Sequence, residues 1–390
     1  MKKTATILIA IIAFLCSCGD APAVQTSSEE KGAQIAVTFN DTTVLYFSLT
    51  SDSEAELTWD ATEGKNYNTP SRHQHAGKLT IPAEITHNGK SYKVTSIGDN
   101  ALFQQRSLKS IYISDGIRHI GRKALSGCDK LKSLRLPSTL ETMDEEALSR
   151  CKQLARITLP DNLKEMGIYA LHDCKMLKKA NIPAGITALP EGMFEGCYSL
   201  TDIKFHDKVE SIGVRAFSRC ESLKKIGLPE SLKIIGQEAL SHARSLEKVS
   251  FPDSIDYIPE LCFHGCTSLR DIEFNKVETI SHGAFAHCNA LAAIKLPETL
   301  TAIGRESFVG CAGITEVTIP TSVKLIANNA FAECSKLKDI YLLRTKPIEI
   351  ESEKALPGQP CRINIPKGSL DSYQFTPKWK KFNYREVLYQ

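Results

Sequence analysis

Beyond its N-terminal leader, this 390-residue chain has no apolar run of the roughly 20 residues that a membrane-spanning helix needs. It also lacks GxSxG, HExxH, GxxxxGK(S/T) and GxGxxG, which removes the serine-hydrolase elbow, the zincin pair, the phosphate loop and the dinucleotide fold. Acidic residues are plentiful, yet nothing in their spacing places two carboxylates at a pocket. Charge of one sign is scarce as well: 48 Lys and Arg stand against 45 Asp and Glu, a formal net charge of +3. Without residues 1–17, which include Lys2 and Lys3, the balance is 46 against 45, or +1. That argues against bulk nucleic-acid binding. An enzyme is not expected, and neither is a cofactor.

Cysteine, by contrast, is abundant, with 13 copies, and its placement fixes the architecture. Cys128, Cys151, Cys174, Cys197, Cys220, Cys266, Cys288, Cys311 and Cys334 recur every 23 residues. There is one double gap of 46, where Ala243 takes the missing place, and one gap of 22. The unit reads I-x-(I/L/F)-P-x-x-(L/V/I)-x-x-I-G-x-x-A-(F/L)-x-x-C-x-x-L, with ten copies between Ile111 and Leu337. A partial copy precedes them, and Ile340 to Leu342 opens a last strand. One such unit is too short to bury its own apolar face, so neighbours must stack into a shared core. The chain is a solenoid.

Each column of the repeat has a physical reading. Ile111/Ile113, Leu134/Leu136 and Ile203/Phe205 alternate with period two, as strands with inward apolar side chains do. Proline at 137, 160, 183, 229, 252, 297 and 320 has no N–H and ends the strand ladder. The Ile-Gly pairs at 120–121, 212–213, 235–236 and 303–304 predict a second short extended piece and a turn. Because Pro190, Pro259, Ser281 and Ala327 replace that glycine elsewhere, a strict positive-φ requirement is not expected there. Ala-(Phe/Leu)-x-x-Cys reads as one helical turn, a simple turn or 3₁₀ in preference to a full α-helix, with the aromatic stacking on its equivalents.

This pattern resembles the BspA-like leucine-rich repeat, the cysteine-bearing 23-residue variety of bacterial surface proteins, over residues 80–343. Leu79-Thr80-Ile81-Pro82 with Asn88 to Val94 resembles that family's lead-in, and Ile365 to Leu370 with Tyr373 and Trp379 its closing segment. The resemblance implies adhesion to host matrix proteins or to other cells. At the N-terminus, Met1-Lys2-Lys3 and an apolar run to Leu15 form a secretory signal over 1–17, closing in Leu15-Cys16-Ser17-Cys18. The box resembles a bacterial lipoprotein processing site, which makes Cys18 the acylated first mature residue. Export and lipid anchoring to a bacterial outer membrane, exposed at the surface, follow as expectations, with the lipid as the sole membrane contact. Residues 18–33 read as a flexible tether, 34–79 as a small β cap, 80–343 as about 11 coils, and 344–390 as a C-terminal cap.

The cysteine column is expected to be structural. Equivalent side chains in register point the same way, which is poor geometry for a disulfide, so buried reduced thiols filling space are the expectation. Cys262 and Cys361 read as packing residues too. No metal is expected: Cys262-Phe-His264-Gly-Cys266, the trio His242, His264 and His287, and His73-Gln-His75 each fall short of a complete ligand set.

The positions flanking the inward strand residues define a candidate binding face. Up to Ser250 they carry Lys109, Lys132, Arg135, Arg156, Lys178, Lys179, Lys204, Lys224, Lys225 and Lys248 against only Asp202 and Glu247. From Arg270 onward three cations face Asp271, Glu273, Glu316 and Asp339. Tyr112 and Tyr341 are the only aromatics there, which argues against stacking on sugar or base rings. The expected function is a non-catalytic scaffold for protein partners on host matrix or cell surfaces. Capture of anionic glycans by the basic face, a purely structural envelope role, and lysines that merely keep a repetitive sheet soluble are the alternatives.

Overall fold

The computed structural model describes residues 32–39, 43–60, 74–358 and 360–389. The 1–17 leader, Cys18, the tether as far as residue 31, and His73 lie outside them. Each coil opens with the apolar-x-apolar triplet, and that triplet pairs in parallel with its equivalent one repeat on. Ile111 lies opposite Leu134 and Tyr112 opposite Arg135, while Lys179, Ala180 and Asn181 face Asp202, Ile203 and Lys204. These rungs form a first sheet, hydrogen-bonded in four runs that break after residues 135, 204 and 273. In seven coils the proline that follows accepts a hydrogen bond from the N–H three residues later, at 2.9 to 3.3 Å, and the chain turns. Two-residue strands such as Thr142–Met143 and Ile234–Ile235 then build a second parallel sheet.

The third wall is made of turns, and it too is laddered. The N–H groups of Lys123, Leu125 and Gly127 donate to the carbonyls of Glu145, Ala147 and Ser149 in the next coil at 2.8 to 3.0 Å. Those of Ala124 and Ser126 fold back on Gly121 and Lys123. This alternation demands left-handed backbone at two places per coil, five residues and one residue before the cysteine. Lys123, Glu146, Arg215 and Glu306 occupy the first place and Arg150, Arg219 and His287 the second, all at φ between 53° and 59°. The Ile-Gly glycines 121, 213, 236 and 304 are not among the positive-φ residues. They are small because the preceding coil comes close: a Cβ on Gly236 would lie 2.4 Å from the Val214 nitrogen.

The whole is a β-solenoid of about 13 turns. Between the walls run apolar columns. Phe263, Phe285, Phe308 and Phe331 stack nearly parallel at centroid separations of 5.3 to 5.5 Å. The 22-residue coil has lost one residue from its first turn, where Phe274-Asn275-Lys276-Val277 replaces the longer Phe251-Pro252-Asp253-Ser254-Ile255. Asn275 takes φ 47° there, and its side-chain amide donates to the Phe251 carbonyl at 2.7 Å. The shortened turn leaves the stack unbroken.

At the N-terminal end Gln34–Phe39, Thr43–Leu49 and Glu54–Thr58 form an antiparallel meander, whose last strand pairs in parallel with Lys90–Ile97 and so enters the second sheet. At the other end the parallel ladder runs past residue 343, since Arg362–Pro366 and Asn383–Val387 add two more rungs. Between them Leu370–Gln374 is a short helix and Pro377–Trp379 a 3₁₀ turn. Trp379 is buried there, its indole N–H donating to the Ile348 carbonyl at 3.0 Å. The final strand carries Arg385 and Glu386 exposed at the free edge, which discourages pairing with another chain.

Candidate binding face

Stacking at one repeat puts residue i beside residue i+23 about 5 Å away, within ion-pair reach. Away from the first sheet the sequence uses this. Lys123 pairs with Glu146 at 3.2 Å, Asp129 with Lys152 at 2.9 Å, Glu141 with Lys164 at 2.8 Å and Glu210 with Lys233 at 2.9 Å. Arg215 grips Glu238 through two nitrogens, the shorter contact being 2.7 Å.

The first sheet does the opposite. Lys109, Lys132, Arg135, Arg156, Lys178, Lys179, Lys204, Lys224 and Lys225 are all exposed, and none forms an ion pair among the described residues. Arg156 lies directly against Lys179, and Lys225 against Lys248, although like charges in register cost stability. Arg135 instead lies over the ring of the half-exposed Tyr112, 4.9 Å from its centroid.

The open stretch ends at Lys248. Its ammonium is held by Asp271 at 3.1 Å and Glu273 at 2.5 Å, which raise its pKa, while the same contact lowers that of Glu273. Beyond it Arg362 makes two 2.9 Å bonds to Asp339 and holds that carboxyl below its usual range. Stacking the sequence at 23 residues would have revealed the Lys248 clamp. Asn181 is a different case. It spends its amide on the Leu159 N–H at 2.9 Å and carbonyl at 2.8 Å, patching a rung whose strand pairing is broken. Gly227, between Lys204 and Ser250 in the same column, leaves a dip, with no atom within 4 Å of where a Cβ would sit.

The nine thiols of the cysteine column are buried and free, as are Cys262 and Cys361. Each of the nine donates to a carbonyl of the preceding coil at 3.1 to 3.4 Å, as Cys174 does to Leu148 and Cys311 to Phe285. Burial pushes the Cys174, Cys266 and Cys334 thiols up to about 12, so thiolate, the reactive form, is negligible near neutrality.

The three histidines form a ladder on the turn wall. His242 and His264 meet edge to face at 5.0 Å between centroids, and His264 and His287 at 5.4 Å. His264 Nδ1 is buried without a hydrogen-bond partner, so its protonation would bury an unpaired N–H. Burial first, then the neighbouring histidines, lower its pKa; burial, then Arg244 and Arg219, lower that of His242. With folded values below the unfolded 6.5, the unfolded chain binds protons first as pH falls. Stability is therefore expected to drop as pH falls from about 6.5 through the lowered folded values. Thermal midpoints at pH 7 and pH 5 should show the drop, and His264→Gln should lessen it. An equal drop in the variant would count against this origin.

The descriptor "BspA type Leucine rich repeat region" matches residues 84–201, 187–289 and 273–356, in six copies. A search among curated proteins found no match. Among solved structures, a leucine-rich repeat protein from Bacteroides ovatus is 22% identical, with a TM-score of 0.60 over 88% of this chain and 98% of its own. The pneumococcal vaccine antigen PcpA is 17% identical, with a TM-score of 0.55 over 91% of this chain and 98% of its own. A leucine-rich cell surface protein from Faecalibacterium prausnitzii is 26% identical, with a TM-score of 0.50 over 79% of this chain and 94% of its own. With the repeat descriptor spanning residues 84 to 356 and the same stacked coils in all three structures, the chain belongs to the BspA-type leucine-rich repeat family.

Proposed function

We propose that this chain is a non-catalytic surface lipoprotein, anchored to a bacterial outer membrane through lipid on Cys18. Its first sheet would be an adhesion face for proteins of a host matrix or another cell. Leucine-rich repeat proteins serve as protein-binding scaffolds, and the similar protein from Faecalibacterium prausnitzii is a cell surface protein. The observation that carries the reading is the row of nine exposed cations without an ion pair among the described residues, in a fold that pairs several such charges between coils on its other walls. A face kept open at a cost to stability supports a role in recognition more than one in solubility alone. Rungs repeating about every 5 Å make the face long enough for a protein-sized interface.

Two measurements test the proposal together. In cells, Cys18→Ser should move the protein out of the membrane fraction, and protease added to intact wild-type cells should remove it. In vitro, the protein should capture matrix proteins, and Lys179→Glu with Lys225→Glu should weaken that capture about tenfold. Retention of the Cys18 variant in the membrane would refute the anchor. No partner from matrix or cells would leave the purely structural envelope role standing instead.

A further inference from the structure

The unpaired cations are ordered as well as numerous. Along the solenoid axis they occupy six successive rungs: Lys109; Lys132 and Arg135; Arg156; Lys178 and Lys179; Lys204; Lys224 and Lys225. Most lie just before the inward strand residue, so they form one edge. Beside that edge the position between the inward residues is filled in turn by Tyr112, Arg135, Thr158, Asn181, Lys204 and Gly227. The result is a rail of positive charge beside a mixed floor that opens into a dip at Gly227. The rail stops where Asp271 and Glu273 neutralise Lys248.

A folded protein with scattered acidic side chains would not need one cation on every rung. A linear polymer carrying a negative group about every 5 Å, the rung spacing, would meet each in turn. The floor offers Arg135, Lys204 and the Thr158 hydroxyl, and its one aromatic ring, Tyr112, lies under Arg135, which suits contact through charge and hydrogen bonds rather than ring stacking. We infer that residues 109–225 of the first sheet bind a linear sulfated or carboxylated polysaccharide, lying along the solenoid axis and seated over Gly227. This rests on the reading of the first sheet as the recognition face. It adds that the element recognised is the anionic glycan chain of a matrix or cell-surface molecule.

Heparin fragments of defined length, titrated against the whole chain by fluorescence anisotropy, provide the test. Affinity should rise with fragment length until the six rungs, about 24 Å, are spanned, and then level off. Lys179→Glu with Lys225→Glu should weaken binding at least about tenfold. Lys164→Glu with Lys233→Glu changes net charge equally on the second sheet and should alter binding less than about twofold. Gly227→Phe keeps the charge, has open space at its Cβ and should weaken binding about tenfold by filling the dip. Matching thermal midpoints confirm that the variants are intact. Equal loss from both double reversals, indifference to Gly227→Phe, or equally tight binding of polyglutamate would overturn the inference. If heparin fails while a deglycosylated matrix protein still binds wild type and not the Lys179/Lys225 variant, the adhesion reading survives and the glycan inference falls. If neither binds, both fall.

Discussion

Phe285→Ala is expected to destabilise the protein by about 3–5 kcal/mol, the range for removing a large buried aromatic. Phe285 is fully buried, with Phe263 and Phe308 stacked on its two faces and the Phe274 ring edge-on at 5.6 Å. The cavity cannot close readily, because coil spacing is set by backbone ladders on three walls. The form of the loss matters as much as its size. In a stack where each coil touches only its neighbours, weakening one central interface partly uncouples the two halves. Urea denaturation followed by circular dichroism should therefore show a lower midpoint and a shallower or two-step transition. A single transition within about 1 kcal/mol of wild type would refute the expectation.

Trp379→Ala should cost a similar amount, about 3–5 kcal/mol, but confined to one end. The indole is 1% exposed, packs edge-on against Tyr373 at 5.3 Å and supplies the bond to Ile348. Its loss frees the segment that covers the last rungs, and those rungs have a neighbour on one side only. Hydrogen exchange should report the difference. Amides from residues 339 to 387 should lose protection while those between 120 and 250 keep it. Uniform loss of protection would mean that the array unfolds as one unit, and would also undercut the reasoning for Phe285.

The core was largely readable in the sequence because its signals repeat. The inward pairs, the prolines, the stacked phenylalanines and the cysteines each recur in one column, so ten weak local patterns add up to a strong one. Less was readable where a residue's role depends on a neighbour 22 or 23 positions away. Lys123, Glu146 and Arg215 look like ordinary surface charges, yet they hold left-handed backbone that sequence reading associates with glycine or asparagine. The Ile-Gly column was the conspicuous glycine signal, and it marks close approach between coils rather than unusual φ.

The candidate face was legible in composition but not in state. All eleven of its proposed members, Tyr112 included, prove to be exposed. Composition could not separate Lys248, held by two carboxylates, from Lys225 beside it, held by none among the described residues. Asn181, which the pattern places between two inward residues, mends a broken rung.

The constant offset between paired rungs bears on how such a chain can change length. Excising one complete 23-residue unit brings together two coils whose partners already match, so slippage during copying could shorten or extend the molecule without inventing a new junction. The coil ending at Cys288 is the exception. Its clipped first turn was accommodated by Asn275 and the carbonyl it reaches on Phe251, so that unit cannot be exchanged with its fellows as freely, and heredity should treat it as a fixed point.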